Sequence, residues 1–186
     1  MTTFTKFEEI PPLSYDFIMA DPPWSYRNWS TKGEKKNAVS HYACLPVSDI
    51  AAFPVHQIAA PRCLLWLWAT NPMLNQAIDM LSEWGFTFKT AGHWIKKTKH
   101  GKTAFGTGYI LRSAGEPFLI GTIGTPKTTR GVRSVVEGMM REHSRKPEEA
   151  YQAAEKLMPD ARRIELFSRQ HRPGWDVVGD QTAAFA

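Results

Sequence analysis

Asp21, Pro22, Pro23 and Trp24 follow directly on the apolar run Tyr15–Ala20, so a carboxylate and two rigid residues stand where a short buried strand ends. Each proline fixes φ and removes an N–H donor, while its carbonyl oxygen still accepts. The group therefore offers acceptors: the carboxylate of Asp21 and the carbonyls of Pro22 and Pro23. Such a set suits an amino group that carries two hydrogens. The exocyclic amine of adenine is one, a poor nucleophile until acceptors hold its hydrogens and favour a pyramidal, more electron-rich nitrogen. Held in line with an activated methyl sulfonium, that nitrogen would be methylated through proximity and electrostatics, with no covalent enzyme intermediate. Trp24 offers a face on which an extruded base would stack. The plain alternative is an Asp-initiated turn beside a core tryptophan.

The elements around this group alternate between apolar runs and amphipathic segments. Residues 45–59 have helical spacing, with Ser48 as an N-cap and Pro54 as a break. Cys63–Ala69 is nearly all apolar, as a strand buried on both faces reads. The following helix starts after Asn71, its cap, and ends at Gly85. Strands are expected over 86–97, 116–124, 162–167 and 175–179, and an acid-first helix over 146–159, stopped by Pro159. The fold class is α/β, a single mostly parallel sheet with helices on both faces.

Open sheets of this type bind ligands at the carboxyl ends of their strands. Three basic connections are expected there as one positive rim: Arg27–Lys36, Lys96–Lys102, and Lys127–Arg133 continuing to Arg141–Lys146. Gly106 and Gly108 in FGTGY lack the GxGxxG spacing and the following helix, and read as a mobile turn in an active-site loop.

At 186 residues the chain suits one domain, spanning 1–186 with a lead-in over 1–14 and a tail over 182–186. The formal charge of +5 is compatible with a polyanionic partner. Cys44 and Cys63 lie outside any CxxC spacing and the six histidines show no ligand spacing, so no metal site is expected. Neither a signal peptide nor an apolar run long enough for a membrane span is visible, so a cytoplasmic protein without membrane partners is expected.

FIMADPPW, LLWLWATNPML, GTGYILRSAGEPFLIGTIG and HSRKPEEAYQAAEKLMPDARRIELFSRQHRPGWDVVGDQ, in this order, resemble the MT-A70 family of S-adenosylmethionine-dependent N6-adenine methyltransferases. The resemblance implies a Rossmann-like class I methyltransferase sheet in which the catalytic motif precedes the cofactor motif, the β-class permutation. ELFSR (Glu165–Arg169) stands where an FxGxG signature would be. It implies that Asp21, Pro22, Pro23 and Trp24 hold the target amine, with Asp21 also near the methionyl part of S-adenosylmethionine. Lys146 would contact the cofactor's carboxylate or ribose, the alternative being an exposed lysine at a helix start. Arg169, His171, Asp180 and Gln181 would bind ribose hydroxyls, although relatives often carry Asn where Asp180 stands. Tyr42 and Glu116 match groups near the target base; the alternatives are a packing aromatic and a strand-edge charge. Compact members of the family look bacterial or phage-borne, which points to DNA as substrate with short or weak sequence specificity. RNA, or a non-catalytic role beside an active subunit, is the alternative, and pairing of family domains implies a possible homodimer.

Overall fold

The computed structural model describes residues 1–24, 45–108, 110–142, 145–179 and 182. Its strands are β1 Thr3–Phe4, β2 Tyr15–Ala20, β3 Ala59–Trp68, β4 Thr87–Lys97, β5 Gly115–Ile123, β6 Val135–Met139, β7 Arg163–Leu166 and β8 Trp175–Val178. Its α-helices are α1 Val47–Ala51, α2 Val55–Ile58, α3 Leu74–Glu83 and α4 Glu148–Leu157. All eight strands join one sheet in the order β1-β8-β7-β2-β3-β5-β4-β6. β5 runs antiparallel to β3 and β4, and every other pairing is parallel.

The continuous apolar runs of β2 and β3 have a direct cause: both strands are covered on both faces. Ile18, Ala20, Leu65 and Leu67 enter one core cluster with Ile50, Val55, Ala77, Met80 and Leu81, from α1, α2 and α3. Phe17, Met19, Leu64, Trp66 and Trp68 enter the other with Ala150, Tyr151 and Ala154 of α4. Alternate side chains thus point to opposite helix layers. In α3 the buried residues Ala77, Met80 and Leu81 fall at helical spacing. The helix stops at Gly85, whose φ of +82° is a left-handed value that other residues adopt with strain. Gly85→Ala is accordingly expected to lower stability by about 1–2 kcal/mol, read by urea unfolding; an unchanged midpoint would contradict that cap.

Several sequence expectations change in detail. Pro46 occupies the cap of α1 and Ser48 lies in its first turn, bonded to Asp49 Oδ1 at 3.2 Å. Pro54 does break the segment, as the cap of α2. Asn71 opens a 3-10 turn over Asn71–Met73 whose cap is Thr70, so it is not the helix cap. β6, unread in the sequence, is an edge strand whose alternate residues are exposed, and its short VVEGM run sits within a basic stretch. Because β5 is antiparallel, Lys127–Arg133 leaves it at the amino edge of the sheet, and among the described residues of these connections Lys96–Lys102, Arg141, Arg145 and Lys146 stand at the carboxyl edge with Asp21. The expected single rim is thereby divided. Arg27–Lys36 lies outside the described residues.

Candidate functional site

Asp21 follows the last residue of β2, with β7 on one side of that strand and β3 on the other. The two prolines behind it are locked into the fold. Trp24 N–H donates to Pro22 O at 2.8 Å, and Leu45 N–H donates to Pro23 O at 3.1 Å. Each carbonyl keeps one lone pair for a further donor. The Trp24 indole N–H donates to the carbonyl of Trp68 at 3.0 Å, tying the DPPW turn to the end of β3. Trp24 is only 4% exposed and belongs to the core cluster. That burial leaves no ring face for a base and corrects the stacking expected of it; Trp24 instead fixes the shape of the turn.

Opposite Asp21 stands a row of alternating charges. Lys146 Nζ lies 2.9 Å from Asp21 Oδ1 and 2.7 Å from Glu116 Oε1, and Lys96 Nζ lies 3.0 Å from Glu116 Oε2. Lys146 is 5% exposed, so it is not the solvated helix-start lysine that its position before Pro147 and α4 allowed. Its ammonium also lies 5.2 Å from the Trp68 ring centroid, and Lys96 lies 4.6 Å from that of Trp94. Glu116, the second residue of the interior strand β5, is not an edge charge. Trp94 is its register partner, which places Lys96 two residues further along β4.

These groups set one another's protonation. Burial works against charge on Glu116, but Lys146 and Lys96 outweigh it and hold its carboxyl down at about 2. Burial likewise opposes the Lys146 ammonium, and Asp21 and Glu116 overcome it to raise its pKa above the ordinary lysine value. Asp21 is pushed above the usual aspartate value by burial and then by the Glu116 charge, with Lys146 pulling the other way.

A second polar group lies against the first on its β7 side. Glu165, Ser168 and Gln170 are buried polar residues, and Tyr151 of α4 joins them. The Tyr151 hydroxyl donates to Glu165 Oε1 at 2.7 Å and accepts from Gln170 Nε2 at 2.8 Å. Ser168 Oγ is 2.9 Å from Glu165 Oε2 and 2.8 Å from the carbonyl of Gln170, two acceptors for a single hydroxyl proton. If Glu165 is protonated, its O–H donates to Ser168 and the Ser168 proton goes to the carbonyl. The pKa agrees: burial raises Glu165 to about 7, against the hydrogen bonds from Tyr151 and Ser168.

Asp21, Lys146, Glu165, Phe167, Arg169 and Gln170 line a small cavity of about 10 Å³, room for one water. Phe167 turns out of β7 with a left-handed φ of +61°, carrying the chain from strand to site. Among the sequence candidates, the structure thus brings together Asp21, Lys146, Glu116 and Arg169. His171 is exposed, with Nδ1 3.4 Å from the hydroxyl of Thr3 on β1, and does not line this cavity. Tyr42, Asp180 and Gln181 lie outside the described residues. Tyr151 and Gln170 were not singled out in the sequence, while Lys96 was read only as part of a basic connection and Glu165 only as the start of ELFSR. An acid inside the apolar run RIEL was the available signal for Glu165, since buried acids are rare without a partner.

The donor set suits S-adenosylmethionine: Lys146 and Arg169 match a carboxylate or hydroxyls, and Asp21 matches an ammonium or sulfonium. The sheet, with helices on both faces and these groups at the carboxyl ends of β2 and β7, is that of a Rossmann-like methyltransferase. The chain belongs to the MT-A70 family, whose pattern matches residues 15–181. It is 30% identical to the type II methyltransferase M.MunI of Mycoplasma sp., over 93% of this chain and 80% of that protein. It is 28% identical to the human N(6)-adenine-specific methyltransferase METTL4, over 92% of this chain and 38% of METTL4. It is 29% identical to the human N(6)-adenosine-methyltransferase catalytic subunit METTL3, over 88% of this chain and 27% of METTL3. The chain therefore spans well under half the length of these two human proteins. Among the described residues no helix is long and apolar enough to cross a membrane.

Proposed function

We propose that the chain transfers a methyl group from S-adenosylmethionine to the N6 amine of adenine in DNA, with short or weak sequence specificity. The observation that carries this reading is the half-buried Asp21 carboxylate beside the carbonyls of Pro22 and Pro23, opposite the Lys146–Glu116 pair. When bound, S-adenosylmethionine supplies an activated methyl on a sulfonium. Asp21 accepts one N–H of the adenine amine, and the remaining lone pair of a proline carbonyl accepts the other. Lys146 favours the ionised form of Asp21, and Glu116 keeps Lys146 in place from the far side. Asp21 is also the nearest carboxylate acceptor for the proton that the methylated nitrogen releases. A cavity with room for one water must widen for a nucleoside, so binding draws Lys146 and Arg169 toward the ligand and loosens the Asp21–Lys146 bridge.

DNA is favoured over RNA by the likeness to the type II methyltransferase, of which the chain spans 80%. The Tyr42, His171, Asp180 and Gln181 roles implied by the family belong to the same proposal, as do a bacterial or phage-infected cytoplasm and a homodimer. A base stacked in a duplex must be extruded to reach Asp21, which favours single-stranded or distorted substrate. Labelled methyl transfer to matched single- and double-stranded DNA and RNA, followed by nucleoside analysis, tests the reaction and the polymer together. N6-methyladenine in DNA is the expected product. Product in RNA alone moves the substrate, and cofactor binding without transfer to any polymer replaces the enzyme with a non-catalytic partner.

A further inference from the structure

The described residues of the connection between β4 and β5, 98–108 and 110–114, form a folded hairpin at the carboxyl edge of the sheet, which ends two residues before Glu116. Its first part turns tightly at Gly101 and folds back along β4, with Thr98 N–H on Lys102 O at 2.8 Å and Ala104 N–H on Lys96 O at 2.8 Å. Its second part is pinched at the neck by Gly106 N–H on Ser113 O at 2.7 Å and Ser113 N–H on Thr107 O at 3.2 Å. A Cβ at Gly106 would stand 2.8 Å from Ser113 O, so the neck closes only because that residue is glycine. The pinched lobe therefore has a defined base.

What it presents is unusual for a solvated loop. Phe105, Ile110 and Leu111 are 82%, 95% and 82% exposed, the three most exposed large apolar side chains among the described residues. Scattered exposed apolar residues need no explanation, but three on one short lobe form a local patch. The same segment carries Lys99, His100, Lys102 and Arg112, and 98–114 contains no acid. Apolar tips on a basic stem match a duplex: the cations meet phosphates, and a branched side chain enters between base steps and unstacks them. Met139 and Met140, 53% and 45% exposed at the end of β6, extend the apolar surface beside the stem, where Met140 N–H donates to Lys97 O at 2.8 Å.

We propose that the 98–114 hairpin is an unstacking wedge that inserts Ile110 and Leu111 into duplex DNA next to the target base and so promotes extrusion of adenine toward Asp21. This rests on the DNA adenine reading above. On duplex substrate it supplies what that reading otherwise lacks: there the target is stacked and paired, and the site at the end of β2 has no reach into a closed helix. The basic stem sets the hairpin on the backbone, and the apolar tip holds the gap that the departing base leaves. Phe105, at the neck, covers the neighbouring base step.

The test compares wild type with Ile110→Ser/Leu111→Ser, a double variant on an exposed lobe that leaves the core and the charge cluster untouched. Substrates are a paired duplex carrying one target adenine, and the same duplex with that adenine opposite an abasic site, where extrusion is already easy. Methyl transfer to the paired duplex, as kcat/KM, is expected to fall roughly 30-fold, and transfer to the abasic-opposed duplex to stay within roughly 3-fold of wild type. A 2-aminopurine at the target position is expected to brighten on binding wild type and not on binding the variant. This readout needs no catalysis, so a dim signal with wild type overturns the wedge, and a bright one without transfer overturns only the methyltransferase reading. Equal losses on both duplexes, no loss on either, or conversion of a dimer to a monomer by the two substitutions would each overturn the wedge, the last making the patch a contact between copies of the chain.

Discussion

Asp21→Asn is expected to lower the single-turnover rate of methyl transfer by roughly a hundred- to a thousandfold, the range seen when one oriented polar group is removed from a developing charge. The substitution preserves volume and one acceptor oxygen but puts an NH2 donor where the target amine needs a second acceptor. Folding should survive. Lys146 keeps Glu116 Oε1 at 2.7 Å, so the variant does not strand a buried ammonium. Lys146→Met is the contrasting change, because Asp21 and Glu116 would then lose the ammonium that lies between them, and breaking a buried pair costs about 3–5 kcal/mol. An Asp21→Asn protein that melts like wild type and transfers within tenfold of it would remove Asp21 from the chemistry. Affinity for S-adenosylmethionine, measured by calorimetry, separates the two roles implied for this residue. A loss confined to the rate assigns Asp21 to the amine, and a parallel loss of affinity assigns it to the cofactor as well.

The parts of this fold legible in the sequence were those with strong local patterns. β2 and β3 read as buried strands because two helix layers cover them, and α3 announced its end through Gly85. β6 was hidden because an edge strand buries only alternate residues, and VVEGM is short and flanked by basic loop residues. The reversal of β5 was hidden for another reason: strand direction belongs to the connections, and nothing in EPFLIGTIG differs from a parallel strand. That one reversal moved Lys127–Arg133 to the far edge and brought the start of β5, with Glu116, to the edge that holds Asp21. The site shows the same division. DPPW is contiguous and could be argued from its chemistry. The charge row draws Asp21, Lys96, Glu116 and Lys146 from four separate stretches of chain, and only pairing across the sheet brings them together. Trp24 shows the opposite error, in which an aromatic beside a reactive group suggested stacking and proved to be core.

Glu165→Gln is expected to make the protein more stable relative to wild type as pH rises, by about 3 kcal/mol between pH 4.5 and pH 8.5. In the folded chain burial raises the Glu165 carboxyl from 4.5 to about 7, while in the unfolded chain it ionises near its ordinary value. Between these two values the native state holds a proton that the unfolded state has released. Native stability therefore falls as pH rises through this window, and above about 7 the fold carries a desolvated, buried carboxylate. Glutamine has the same shape, and its amide can donate to Ser168 Oγ as the protonated acid does, leaving the Ser168 proton for the carbonyl of Gln170. Subtracting wild type from variant cancels the histidines and other groups that titrate in the same range. Urea unfolding of both proteins at several pH values gives the difference directly, and a flat difference would mean that Glu165 is ionised throughout. Its ionisation reaches the site as well, because a second negative charge beside Asp21 competes for Lys146. With Glu165 neutral, the pull on Lys146 comes from Asp21 and Glu116, the two carboxylates it contacts.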